Sequence, residues 1–453
     1  MKKEILKKLS SIFKEKFLSG EEALSYSYDA SGLSFIPDGV ILAENKEDVR
    51  MLLELAEKLG FFVIPRGRGT ATTGSPLAKK GGIVLSLERM NRILEFNEEE
   101  RIVIVEPGVI NGDLKRFLAE KGYFYPPDPA SYEFSTIGGN IATGAGGPKG
   151  LKYGSTKDYV ISLEVALPGG NFLKTGPATL KQAVSYNLAS LFIGSEGTLG
   201  VITEAVLKVL PLPEKKVLFV SFHKKEEEPL EIISYFLKNG KTPECAEFVD
   251  RTSLKALKIC FQNEEFLKRE IEALLFLEFD GNREEVERDS LFVEKFYLKK
   301  GIAFLKGEGE SAEKLWKIRR DISPALKVLG ERKIADDVVV RRRNMKELLF
   351  FVRKLEKETG IFISCFGHAG DGNFHINLLF NEEKRKIAED LRRTILKKVI
   401  ELNGSISGEH GIGYTKRDFI TMELSPFCIE IMRKIKKVFD PRGILNPLVK
   451  FPD

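Results

Sequence analysis

Two glycine-dense segments, PRGRGTATTGSP (65–76) and STIGGNIATGAGGPKGLKYG (135–154), constrain this chain more than any other feature of it. A glycine inside a helix costs about 1 kcal/mol relative to alanine, so the reading is that neither segment forms regular helix or strand. What such loops do well is bring backbone amides close to a phosphate. The first follows the apolar run FFVI and offers the amides of Gly67 and Gly69, the Thr70 hydroxyl and the guanidinium groups of Arg66 and Arg68. The second sets Thr136, Asn140 and Thr143 among Gly138, Gly139, Gly144, Gly146 and Gly147. Two loops of this kind in one domain suit a long ligand with a pyrophosphate.

The spacing excludes two common nucleotide sites. A dinucleotide fingerprint needs GxGxxG, but after Gly67 and Gly69 the next glycine is Gly74, and after Gly144 and Gly146 comes Lys149. No GxxxxGK[ST] is present, so a P-loop is absent too. Around the loops, Val49, Leu52, Leu53 and Ala56 mark a helix, while FFVI, GIVLSL and RIVIVE read as strands. At PLPEKK (211–216) the pattern changes and reads as a linker. Long charged helices then alternate with strands such as ALLFLEF and IFISCFG, without an internal repeat. At 453 residues two domains are expected. Their boundaries are read as 1–210 and 211–410, with 411–453 returning to the first and its closing FDPRGILNPLVKF, where proline and glycine forbid a regular helix, read as an extended tail.

Charge and cysteine content narrow the class. The 71 basic and 66 acidic residues leave +5, too little to argue for nucleic acid. No apolar run reaches the roughly 20 residues of a membrane span. The N-terminal stripe of Ile5, Leu9, Ile12 and Phe13 reads as a helix packed on its own domain. Cys245, Cys260, Cys365 and Cys428 form no CxxC pair and fit a reducing cytoplasm.

Three of the four histidines lie between 368 and 410. GHAGDGNFH (367–375) reads as strand, tight turn, strand, which pairs His368 with His375; His375 and Asn377 share a face. Two neutral imidazoles and a carboxylate make a site for Zn²⁺ or Mn²⁺. Glu409 in SGEHGIG is the natural third ligand and His410 the base, although a Glu-His pair admits the reverse assignment.

Taken in order, PRGRGT, VEPGV, PPDPAS, STIGGNIATGAGG, LKYGSTKDYVISLEVALPGG and IGSEGTLGVITEAVLKVLP resemble the FAD-binding oxidases of the vanillyl-alcohol oxidase type. GHAGDGNFH and EHGIG extend the resemblance towards glycolate oxidase flavin subunits, D-lactate dehydrogenases and D-2-hydroxyglutarate dehydrogenases. It implies an α+β FAD-binding domain and an α+β cap domain with a mainly antiparallel sheet. It implies that Arg66 to Gly74 hold the FAD pyrophosphate. Asp128, Ser131, Thr136, Gly139, Asn140 and Thr143 would line the flavin, the segment Gly197 to Ile202 would lie towards the adenine, and Glu196, Gly200 and Ile202 would be among the cofactor-binding residues. Asn446 would close over the ring. With no His or Cys before residue 211, the FAD is expected to be non-covalent. The resemblance assigns His368, His375 and Glu409 to the metal, Asn377 to substrate and His410 to the base. Arg319 of the WKIR segment would grip a substrate carboxylate, with Ser323 one turn further on. Arg341 stands where the family has proline, and Lys333 is offset from the family's substrate lysine.

The activity so implied is oxidation of a small D-2-hydroxy acid, D-lactate or glycolate, to the 2-oxo acid, with D-2-hydroxyglutarate the alternative substrate. The rivals are a flavin-dependent ether-lipid synthase, a metallohydrolase and a flavin-binding subunit without activity. Without an NAD fingerprint the electron acceptor is expected to be a quinone, a cytochrome, an electron-transfer flavoprotein or an iron–sulfur subunit. A homo-oligomer or a larger complex, peripheral to the membrane through a partner, would suit that role.

Overall fold

The computed structural model describes residues 1–262 and 264–452. The chain forms two compact units, each assembled from separate segments: Met1–Gly146, Ser155–Leu212 and Glu409–Asp453 in the first, and Gly147–Gly154 and Pro213–Gly408 in the second.

The first unit contains two larger sheets. In one, Gly39–Leu42, Ile83–Ser86 and Val63–Arg66 run parallel, with the two-residue strand Phe17–Leu18 antiparallel at the edge. The crossover helix Lys46–Leu59 starts at Asn45, whose side chain accepts the amides of Glu47 and Asp48, and ends at Gly60 in the left-handed conformation. Its Val49, Leu52, Leu53 and Ala56 are fully buried against Ile41, Val63, Ile83 and Leu85. The N-terminal helix Lys3–Phe13 joins this core through Leu9 and Phe13. The other sheet is antiparallel, in the order Ile93–Asn97, Ile102–Val105, Val201–Lys208, Val160–Ala166, Phe172–Lys174.

Three expectations are corrected in the two units. The second glycine-dense segment does contain a helix, Ile137–Thr143. Thr136 caps it by accepting the Gly139 amide, and Gly144 ends it with φ +69°. The tail is turned rather than extended. Asn446, Leu448 and Lys450 all have positive φ, and the turns are fastened by Asn446 N–H to the Val63 carbonyl (2.9 Å) and by Lys450 Nζ to the Gly194 carbonyl (2.7 Å). Half of PLPEKK is strand, leaving only Leu212–Glu214 between Leu210–Pro211 and Lys215–His223.

The second unit is built on a seven-stranded sheet, antiparallel throughout. Its order is Phe304–Gly307, Lys215–His223, Ala273–Gly281, Cys245–Val249, Phe362–His368, Asn373–Phe380, Arg332–Val339. Leu218, Val220, Leu274 and Phe276 of the sheet pack with Leu254, Leu257, Ile318 and Ile322 of helices. Gly147–Gly154 belongs here because Lys152 Nζ and Tyr153 Oη both donate to the Asp280 carboxylate, each at 2.7 Å. The hairpin Phe362–His368/Asn373–Phe380 turns at Gly372, φ +91°, where a Cβ would sit 2.1 Å from the Val340 carbonyl oxygen. No helix among the described residues is long and apolar enough to cross a membrane.

Candidate active site

In the first unit the two glycine-dense segments touch. A Cβ on Gly67 would lie 2.3 Å from Thr136 Oγ1, and one on Gly138 would lie 2.6 Å from Pro107 Cβ. Gly69 has φ +69°, and a Cβ there would lie 2.1 Å from Arg66 Nη2. The Arg66 guanidinium is therefore turned beneath the loop. It donates to the Tyr28 carbonyl at 2.8 Å and lies 5.7 Å from the centre of the Tyr26 ring. Arg68 is exposed and paired with Glu88 at 3.2 Å. Both guanidinium groups have partners within the first unit, and the loop's own amides and Thr70 are its further donors. Gly74 is fixed by its amide on Asp29 Oδ2 at 3.0 Å.

Beyond the cap at Thr136, the Thr143 hydroxyl donates to the Gly139 carbonyl at 3.0 Å. Asp128 and Ser131 are half-buried, and the Ser131 carbonyl accepts the amides of Phe134 and Ser135. Buried Asn446 donates Nδ2 to the carbonyls of Ser75 (2.9 Å) and Glu196 (2.7 Å). Its Oδ1, Asn140 Nδ2 and Ser135 Oγ are buried without a hydrogen-bond partner in the first unit or elsewhere among the described residues. Buried polar atoms normally find partners. Three orphans of this kind, beside loops into which even a Cβ would not fit, suit a polar, phosphate-bearing cofactor.

Glu196, Gly200 and Ile202 each have partners within the first unit. The Glu196 carboxylate accepts the amides of Ile412 (2.8 Å) and Gly413 (2.7 Å) and so shapes the EHGIG loop. Gly200 is a packing glycine, since a Cβ would lie 2.4 Å from Val165 Cγ1, and buried Ile202 pairs with Val165 in the ladder. In the same loop the His410 carbonyl accepts from Thr73 Oγ1 at 3.4 Å, and His410 Nε2 lies 3.7 Å from Glu409 Oε1. Gly146 makes room for Glu409, as a Cβ there would lie 2.5 Å from Glu409 Oε2.

In the second unit the hairpin register sets Phe366 opposite His375, and the next ladder sets Glu247 opposite His368. The rings of His368 and His375 stand perpendicular with centroids 5.0 Å apart, and their Nε2 atoms are 3.4 Å apart. His368 Nδ1 meets Glu247 Oε1 at 2.6 Å, and Glu247 Oε2 takes Arg319 Nη2. Burial alone would raise the Glu247 pKa, but His368 and Arg319 together hold it down at about 2. Arg319 also lies over the Phe366 ring at 4.8 Å, and its Nε has no hydrogen-bond partner among the described residues. Ser323 accepts from Lys333 Nζ at 3.0 Å, and burial lowers the Lys333 pKa. Asn377 is buried, opposite Ala335. Buried Asp337, opposite His375, accepts the Gly408 amide at 2.7 Å. Glu247 and Asp337 escaped the sequence reading as site residues, and Lys333 reads there as offset from the family's substrate lysine; the one available signal for Glu247 was an acid inside the apolar run CAEFV.

Two nitrogens bound to one tetrahedral Zn²⁺ at about 2.0–2.1 Å lie about 3.3–3.4 Å apart. The separation of the two Nε2 atoms matches that edge, so the imidazoles present fit a divalent ion.

The first unit thus has the loops and buried polar groups of a flavoprotein, and the second carries a histidine–carboxylate–arginine group on an antiparallel sheet. Residues 37–176 match the family described as "FAD binding domain", and residues 212–449 match "FAD linked oxidases, C-terminal domain". The chain belongs to the FAD-linked oxidases and is an FAD-linked oxidoreductase. It is 38% identical over 435 residues to glycolate oxidase subunit GlcD of Bacillus subtilis, covering 94% of this chain and 91% of that one. It is 34% identical over 465 residues to D-lactate dehydrogenase of Anaerostipes hadrus, covering 98% and 96%. Among solved structures, p-cresol methylhydroxylase with substrate bound superposes with a TM-score of 0.79 at 17% identity, covering 99% and 96%. That likeness establishes the FAD-binding fold of this class.

Proposed function

We propose that this protein oxidises a small D-2-hydroxy acid, D-lactate or glycolate, to the 2-oxo acid with non-covalent FAD and a divalent metal, Zn²⁺ or Mn²⁺. The observation that carries the reading is the pair of imidazole Nε2 atoms at 3.4 Å, one ring anchored by a buried carboxylate that also holds Arg319. His368 and His375 are the nitrogen ligands, and Glu409 is the third. Chain connectivity supports that role, because Gly408 is bonded to Asp337 opposite His375 and Glu409 is the next residue.

A metal held there supplies positive charge to the substrate's hydroxyl and carboxylate oxygens. FAD supplies a two-electron hydride acceptor. The residues do the rest. Arg319 orients the carboxylate, with Nε as its uncommitted donor, and Ser323 and Asn377 line the substrate. His410 takes the hydroxyl proton on a ring nitrogen as the hydride leaves the α-carbon, so that the C–H and O–H bonds become a carbonyl. The electrons then pass to an acceptor that is not NAD: a quinone, a cytochrome, an electron-transfer flavoprotein or an iron–sulfur subunit.

The test is anaerobic mixing of the yellow holoenzyme with D- and L-lactate, glycolate and D-2-hydroxyglutarate while flavin absorbance is followed. Bleaching by D-lactate or glycolate, abolished by a chelator and restored by Zn²⁺ or Mn²⁺, is expected. No bleaching by any hydroxy acid would overturn the substrate class, and undiminished bleaching after metal removal would overturn the metal.

A further inference from the structure

We propose that Glu247 is a positioning residue that couples metal ligation to recognition of the substrate carboxylate; this rests on the metal-assisted reading above. Glu247 stands in the strand Cys245–Val249 between apolar neighbours and is fully buried. A lone carboxylate is costly in such a place, and removing one partner of a buried pair costs several kcal/mol. Its two oxygens are divided between two functional side chains, Oε1 on His368 Nδ1 and Oε2 on Arg319 Nη2. The division has a directional consequence. A carboxylate only accepts, so His368 must carry its proton on Nδ1, which leaves the Nε2 lone pair facing His375 Nε2. The same carboxylate holds Arg319 over Phe366. One side chain thus sets the tautomer and ring angle of a metal ligand and the bearing of the substrate's cation.

Glutamine cannot do both, because an amide has one acceptor oxygen and one donor nitrogen. If the oxygen faces His368, the NH₂ group faces the Arg319 donors and the arginine loses its anchor. If the oxygen faces Arg319, the NH₂ group needs an acceptor at His368 Nδ1. The ring then carries its proton on Nε2 and cannot ligate through it. Outer-shell partners of this type are worth about 10- to 100-fold in metal affinity.

The experiment uses full-length holoenzyme with FAD bound, stripped of metal and titrated with Zn²⁺ against a chromophoric chelator. Wild type, Glu247→Gln, Glu247→Asp and His368→Ala are compared, and ¹⁵N histidine spectra report the tautomer of His368. The expected result is a 10- to 100-fold loss of Zn²⁺ affinity in Glu247→Gln, with FAD content unchanged and either the tautomer switched or KM raised out of proportion to kcat. Glu247→Asp, which keeps the charge but shortens the reach, loses less. If Glu247→Gln does not fold, Glu247→Asp decides: weakened Zn²⁺ binding with FAD retained supports the coupling. Zn²⁺ affinity within threefold of wild type in the folded variant, while His368→Ala loses the metal, would overturn it. Retention of wild-type affinity by His368→Ala would instead overturn the metal reading itself.

Discussion

Replacing Gly69 with alanine should weaken FAD binding about 100-fold, and the structure supplies the terms. The residue has φ +69°, a conformation that costs a non-glycine residue about 1–2 kcal/mol. The new Cβ would also lie 2.1 Å from Arg66 Nη2 and 2.5 Å from Cζ. Arg66 is buried and donates to the Tyr28 carbonyl at 2.8 Å, so it cannot swing aside without breaking a charged hydrogen bond, about 1.5–3 kcal/mol. Together these disfavour the observed loop by roughly 3–5 kcal/mol. Without ligand the loop can relax into another shape, so most of the penalty appears when FAD restores it. Three kcal/mol corresponds to about two decades in Kd. The assay is re-titration of flavin-stripped protein with FAD, followed by quenching of flavin fluorescence. Gly60→Ala is the control, having φ +72° but nothing within 4 Å of a Cβ. It should lower Tm through the helix cap and leave FAD affinity alone. Binding by Gly69→Ala within threefold of wild type would refute the reasoning.

Other outcomes follow from the same geometry. His410→Ala should keep both FAD and metal yet slow single-turnover flavin reduction by roughly 10²- to 10⁴-fold, whereas Glu409→Gln should lower metal content; the opposite pattern would exchange the two roles. Acid or heat denaturation should release FAD into the supernatant, and flavin retained on the precipitated chain would reveal a covalent bond. Burial, and then the hydrogen bond that protonated Asp280 donates to Glu244, raise the Asp280 pKa to about 6 from an ordinary 3.8. The folded chain holds that proton where the unfolded chain has released it, so stability falls as pH rises from about 4 to 6. Asp280→Asn should flatten this part of a Tm-against-pH profile, and an unchanged slope would count against the burial argument.

How much was legible in the sequence depended on the distance between partners. The His368–His375 hairpin was readable because strand, turn and strand are contiguous and side chains alternate across a strand. The glycine-dense loops were readable as loops, but their helix was not. Thr136 capping lies within local reach, whereas the support of Gly138 on the Pro107 carbonyl depends on a distant residue. The anchoring of Arg66 was not readable, because nothing nearby shows that Tyr28, 38 positions earlier, accepts its hydrogen bond. Glu247 stood out only as an acid in an apolar run, and its role was unreadable for the same reason: its partners are 121 and 72 positions away. Membership of Gly147–Gly154 in the second unit rests on Asp280, 128 positions beyond Lys152.

The turned tail has a consequence for how the protein is made. Val63 takes its outer backbone neighbours from Ile444 and Asn446, and the EHGIG loop is shaped by Glu196 and Thr73. The first unit is therefore assembled from segments translated before most of the second unit and from a segment translated after it. Between Leu212 and Glu409 lies all of the second unit except Gly147–Gly154, and its translation at 5–20 residues per second takes roughly 10–40 s. Throughout that interval the parallel sheet lacks its closing segment and the glycine-dense loops lack Asn446. The nascent first unit waits with an open edge, the state in which a chain is most prone to wrong pairings and most in need of a chaperone.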